Sequence, residues 1–184
     1  MEIKISTKQI LRVLAVLAWI IFVGLCVEAG GVISNAFYTL VLNPQGAASF
    51  WPKLDLSSLY QYDKGYFLVE TSLMSIAAIM KAIMFYLITS ILSSKKLDMS
   101  QPFVQEVGRF VFNLAYLSLG IGIFSRWCVE NTQWLVKQGI TMPDVAKLNV
   151  DGADVWLFMG VILFIIAQIF KRGIEIQSEH ELTV

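Results

Sequence analysis

The stretch FLVETSLMSIAAIMKAIMFYLITSIL, Phe67 to Leu92, is apolar over a length that crosses a bilayer and carries a lysine, Lys81, near its middle. A hydrocarbon core of ~30 Å takes about 20 apolar residues in a helix, and backbone amides in lipid are satisfied only inside helices or closed barrels. The segment therefore reads as a transmembrane helix. An unpaired charge at the bilayer centre costs at least ~2.5 to 3.5 kcal/mol on insertion scales, so Lys81 is expected to face protein or water. At helical spacing Glu70, Met74, Ala77, Ala78, Lys81, Phe85 and Ile88 share one face, which turns both charged residues toward the interior.

Outward from this helix, three more spans can be read. The first covers about 10–30; in it Ile10 to Val27 is apolar apart from Arg12 and follows a short basic leader, MEIKISTKQ. The apolar run exceeds the ~7 to 15 residues of a secretory signal core, so an uncleaved first span is expected. Glu28, near its outer end, is either an interfacial carboxylate or a partner for Lys81. Ser100 and Pro102 start a third helix over about 103–128, proline being tolerated in a first turn. In it Glu106, Arg109, Asn113, Tyr116 and Gly120 recur at three- and four-residue steps as one polar stripe. That stripe is the expected counterpart of the Lys81 face, with Asn113 and Tyr116 nearest in depth. A fourth span covers about 153–172, with Trp156 at its outer edge and Lys171-Arg172 at its inner edge, where basic side chains snorkel. Residues 173–184 form a cytoplasmic tail in which His180 is solvated.

Two longer loops join the spans on the outer side. The first holds turn signals at Asn43-Pro44 and Trp51-Pro52 and the aromatics Phe50, Trp51, Tyr60, Tyr62 and Tyr66, an anchoring belt at headgroup level. Ser34 to Leu42 either continues the first helix or lies along the interface, and Leu54 to Tyr66 is a short helix or an irregular cap. The second loop, Arg126 to Gly152, is expected to carry a short helix around Asn131 to Gln138.

Composition agrees with four spans. Of 184 residues 57% are hydrophobic and 15% charged, with a mean hydropathy of +0.67, which is an integral membrane protein rather than a soluble domain. The net charge is zero and no block of like charge occurs, so nucleic acid is not an expected partner. Cys26 and Cys128 form no CxxC pair, and free thiols are the expectation. Lys4, Lys8, Arg12, Lys95, Lys96, Lys171 and Arg172 crowd short segments on one side, which the positive-inside rule assigns to the cytoplasm. The expectation is an all-α integral membrane protein, one domain over 1–184, built as a four-transmembrane-helix bundle with both termini inside and short interfacial helices in two outer loops.

The start of the third helix at Pro102-Phe103, then Phe170, Arg172-Gly173, Glu175 and the ending Glu181-Leu182-Thr183-Val184, together with four spans in under 200 residues, resemble a family of uncharacterised bacterial inner-membrane proteins, defined as a domain of unknown function. The resemblance covers essentially the whole chain. It implies a four-span protein of the bacterial inner membrane, whose relatives are often encoded beside a small helix-turn-helix regulator, and it brings no catalytic residue.

No HExxH, GxSxG, phosphate-cradling glycine loop or dinucleotide fingerprint occurs, and one histidine cannot supply paired metal or haem ligands. The expectation is therefore a non-enzymatic protein without cofactor or metal. Its expected role is interaction or sensing through a cytoplasmic partner or another membrane protein. The alternative is a small transporter or channel subunit using a polar bundle interior of Lys81, Glu70, Glu28, Glu106, Arg109, Asn113 and Tyr116.

Overall fold

The computed structural model describes residues 7–94 and 104–181. Lys4, Lys95, Lys96, Ser100 to Phe103 and Leu182 to Val184 lie outside the described residues, as does the side chain of His180. Among the described residues there are five α-helices: α1 Thr7–Phe37, α2 Ser57–Tyr62, α3 Lys64–Ser93, α4 Gln105–Lys137 and α5 Ala153–Glu181. Four of these, α1, α3, α4 and α5, are long and apolar enough to cross a membrane. They pack as neighbours in chain order, α1 on α3, α3 on α4 and α4 on α5. The ends of α1, α3, α4 and α5 that meet the two longer connections are called the loop end, and the opposite ends the terminal end.

Burial follows that order. In the apolar windows of α3 and α4 28% of residues are buried, against 6% in α1 and 11% in α5. The flanking helices turn residues such as Val13, Ile20, Val161 and Ile169 outward, which a hydrocarbon surrounding accepts without cost.

The loop end is closed by the loops themselves. After Phe37 the first helix widens into a π turn, Tyr38–Leu42, followed by a 3-10 turn, Pro44–Ser49, whose start is capped by Asn43 Oδ1 accepting from Gln45 N at 2.9 Å. So Ser34 to Leu42 continues the first helix. Phe50 and Leu54 exchange backbone hydrogen bonds of 2.9 and 2.7 Å, and Leu56 N donates to Ala47 O at 2.7 Å. These bonds fold the loop inward, so that Phe50, Leu56, Leu59 and Phe67 are fully buried. Phe67 receives Phe50 and Tyr60 edge-on, at 6.0 and 5.3 Å between ring centroids, a favoured aromatic geometry. Asp63 ends α2 and caps α3, its Oδ1 accepting from Gly65 N and Tyr66 N. From the second loop Ile140, Leu148 and Val150 enter the same core, beside Met74, Ala77, Cys128 and Leu135.

One helix boundary differs from expectation. The third span does not end near Cys128 with a separate short helix at Asn131 to Gln138; α4 runs unbroken to Lys137. No glycine or proline interrupts residues 123–138, and the first break is Gly139, where φ is +83°. The short helix of the second loop is instead the 3-10 turn Val145–Leu148.

Between α4 and α5 the backbones approach closely. A Cβ at Gly122 would stand 2.6 Å from Leu157 Cγ and 2.9 Å from its backbone nitrogen, and one at Gly160 would meet Leu119 at 2.7 and 2.9 Å. Each glycine thus receives a leucine of the other helix. Ser118 Oγ adds an interhelical bond to Trp156 O at 2.9 Å. Small residues and hydroxyls at such crossings are how helices associate in lipid, where no hydrophobic drive separates them from the solvent.

Candidate functional site

Glu70, one turn and a half into α3, is fully buried. Its Oε1 accepts from Cys128 Sγ at 3.3 Å and from Thr132 Oγ1, and its Oε2 accepts from Asn131 Nδ2 at 2.5 Å. The three donors stand at i, i+3 and i+4 of α4, on one face. They exist as a set only because α4 continues past Cys128. The group fastens α3 to α4, and Cys128, a free buried thiol, is spent on this bond and not presented to a substrate. Cys26 is also free and lies exposed on α1.

Lys81 lies just past the middle of α3 and is partly buried. Its Nζ donates to Asn149 O at 2.6 Å, in the second loop. It does not turn toward Asn113 or Tyr116. Side chains tilt toward the N-terminus of their helix, and the N-terminus of α3 is at the loop end, so the long stem is already aimed at the cap. Asn149 meets it in a left-handed conformation, φ 56° and ψ 29°, which asparagine tolerates better than most residues. Glu28, half-buried on α1, and Asp151, next to the acceptor loop, are the two carboxylates whose charge acts on the ammonium. Lys81 and the loop thus form one polar junction, with Glu70 held separately by α4.

The α4 stripe departs from expectation. Glu106, Arg109 and Asn113 are exposed and Tyr116 is 58% exposed. The face of α4 that is buried carries Gly108, Ala115, Ser118, Gly122 and Ser125, small residues offset from the polar ones. Small side chains win the interface because they permit close approach, and the long polar ones are left at its margin. Arg109 Nη2 reaches Gln105 Oε1 at 3.5 Å.

At the terminal end these marginal residues border grooves. Glu106, Arg109 and Asn113 face Ser90, Ser94 and Leu87 across a space of about 290 Å³ between α3 and α4. A second space, about 460 Å³, continues from Leu87 and Asn113 to Met80 and Tyr116. The first is polar at its mouth and the second is apolar. Among the described residues no group of three His, Cys, Asp or Glu is placed to hold a metal ion.

The junction at Lys81 was not readable from residue types alone, because its acceptor is a backbone carbonyl. The donors to Glu70 left a readable signal: Cys128, Asn131 and Thr132 fall on one face as soon as the helix is extended.

No curated protein and no solved structure matches the chain significantly. A family model described as "Protein of unknown function (DUF2975)" matches residues 35–184, which takes in everything from the end of α1 through both loops to the tail. The chain belongs to that family.

Proposed function

We propose that this is a non-enzymatic protein of the bacterial plasma membrane that relays the state of its outer loops to a protein at its cytoplasmic face, with both termini inside. One observation carries the reading: Lys81 ties the second loop, through Asn149 O, to the middle of α3, and the same helix goes on to border the terminal-end groove at Leu87, Ser90 and Ser94. A change that frees the loop has a direct mechanical route to the cytoplasmic ends of α3 and α4. Coupling of this kind needs an element with two arrangements that both sites bias. The tied and untied loop supply them.

The test places a photo-crosslinking residue at Ser94 or Gln105 in whole cells and compares the native chain with Lys81→Met. A protein adduct whose yield changes with Lys81→Met is expected; the absence of any protein adduct, or one indifferent to the lysine, would refute the relay. Orientation is checked separately by labelling cysteines introduced at Gln45 and Gln138, expected from outside, and at Ser178, expected only after permeabilisation. A second reading, a small transporter or channel subunit, draws on the same lysine with the charges of Glu28 and Asp151 acting on it. Solute flux into proteoliposomes that Lys81→Met abolishes would replace the first reading by the second.

A further inference from the structure

A groove of about 290 Å³ lies between α4 and α5 at the terminal end, and Arg109 borders both it and the groove between α3 and α4. Gly108 lies in its lining, where a Cβ would come within 3.1 Å of Ile174 Cδ1, so the missing side chain lets Ile174 pack closely against α4. Phe112 and Ile174 make apolar walls. Two cations, Arg109 and Lys171, border it. Both are exposed, and among the described residues Arg109 makes a long contact to Gln105 at 3.5 Å. The acid at the rim, Glu175, is already offset by Arg172 at 3.0 Å. Arg109 also points the right way, since α4 side chains tilt toward its N-terminus and hence toward the membrane surface at this end.

From Phe112 an aromatic ridge leads toward the middle of the membrane. Phe112, Tyr116 and Phe164 contact one another at 5.8 to 6.4 Å between centroids, and Tyr116 is largely exposed on it. We propose that this groove is a binding site for an anionic phospholipid, the headgroup phosphate seated between Arg109 and Lys171 and an acyl chain lying over Phe112 and the ridge. Charge complementarity names the headgroup, and continuity of the apolar walls with the lipid-facing surface favours an acyl chain over a peptide. Basic pockets between spans near the membrane surface are suited to such headgroups, and arginine grips phosphate with several donors.

The test uses the full chain, delipidated in detergent and re-exposed to phosphatidylglycerol or phosphatidylcholine with the same acyl chains, with retained lipid read by native mass spectrometry. Phosphatidylglycerol should be retained over phosphatidylcholine. Arg109→Gln and Lys171→Gln should each weaken that retention about fivefold, and the pair about twenty-fold. Arg109→Lys should restore most of it, and Lys147→Gln, at the loop end, should change nothing. Equal retention of the two lipids would overturn the proposal. So would a double variant that melts like the native chain yet still holds phosphatidylglycerol. Displacement of the lipid by inorganic phosphate would show a simple anion site and overturn it as well.

Discussion

At the loop end, α1, α3 and α4 share a core with both connections, in which Phe50, Leu56, Leu59, Phe67, Leu148 and Val150 are buried and two charged side chains, Glu70 and Lys81, find partners in other elements. At the terminal end α3, α4 and α5 meet across grooves bordered by exposed Glu106, Arg109, Asn113 and Lys171. The contrast separates two uses of polarity in a membrane protein. At the loop end the two charged side chains each have a designated acceptor or donor, and removing a partner from an enclosed group costs about 1 to 3 kcal/mol. Where polar groups border open grooves, they lie within reach of headgroups and water.

The largest effect should come from emptying the loop-end polar site. Glu70→Leu leaves the donors Cys128, Asn131 and Thr132 without their common acceptor, and a loss of about 3 kcal/mol or more is expected in denaturant or thermal unfolding. An unchanged unfolding midpoint would mean that the packed end does not depend on its polar contacts. Next, Gly160→Val places methyl groups against Leu119, its backbone nitrogen included. Overpacking of this kind costs about 1 to 3 kcal/mol, and α5 should separate first, seen as earlier proteolysis between 138 and 152.

Lys81→Met removes a hydrogen bond but also the cost of enclosing a charge, so global stability should move by less than about 1 kcal/mol. Amide exchange over 144–151 should nevertheless quicken, because the loop loses its tie. Unaltered exchange there would break the link drawn between loop and helix. At the open end, Asn113→Leu should stay within about 0.5 kcal/mol, as surface substitutions do. A larger loss would show the groove to be enclosed in the membrane.

The smallest effect concerns the exposed first loop. Ser57, through its hydroxyl and its backbone N–H, holds the Asp55 carboxyl below the ordinary carboxylate range. A folded pKa that is depressed contributes stability above the unfolded value of about 3.9 and loses it as pH falls through the folded value. Ser57→Ala should therefore raise the Asp55 titration midpoint, followed by NMR, with the carboxyl partly relaxing toward 3.9 because the backbone bond remains.

Length and hydropathy made the four spans legible, and the shared face from Glu70 to Ile88 was legible from spacing, its first half, down to Ala78, being buried. The end of α4 was misread because Arg126, Glu130 and Asn131 look like loop residues. They extend a helix that nothing breaks before Gly139, and Arg126 and Glu130 pair along it at 2.8 Å. The partner of Lys81 was hidden for a different reason. A backbone carbonyl carries no residue-type signal, and only the chain path brings Asn149 to α3. The stripe from Glu106 to Tyr116 was real as a pattern, but periodicity marks a face without saying whether that face packs. The small residues at Gly108, Ala115, Ser118 and Gly122 were the better indicator of contact.

The tie between Lys81 and Asn149 spans 68 residues of sequence. During synthesis α3 is therefore complete, and ready to enter the bilayer, long before the carbonyl that receives its ammonium has been made. Only when the second loop has been delivered to the correct side can the final bond close. The bond is thus a late contact of the chain, one that α3 alone cannot make.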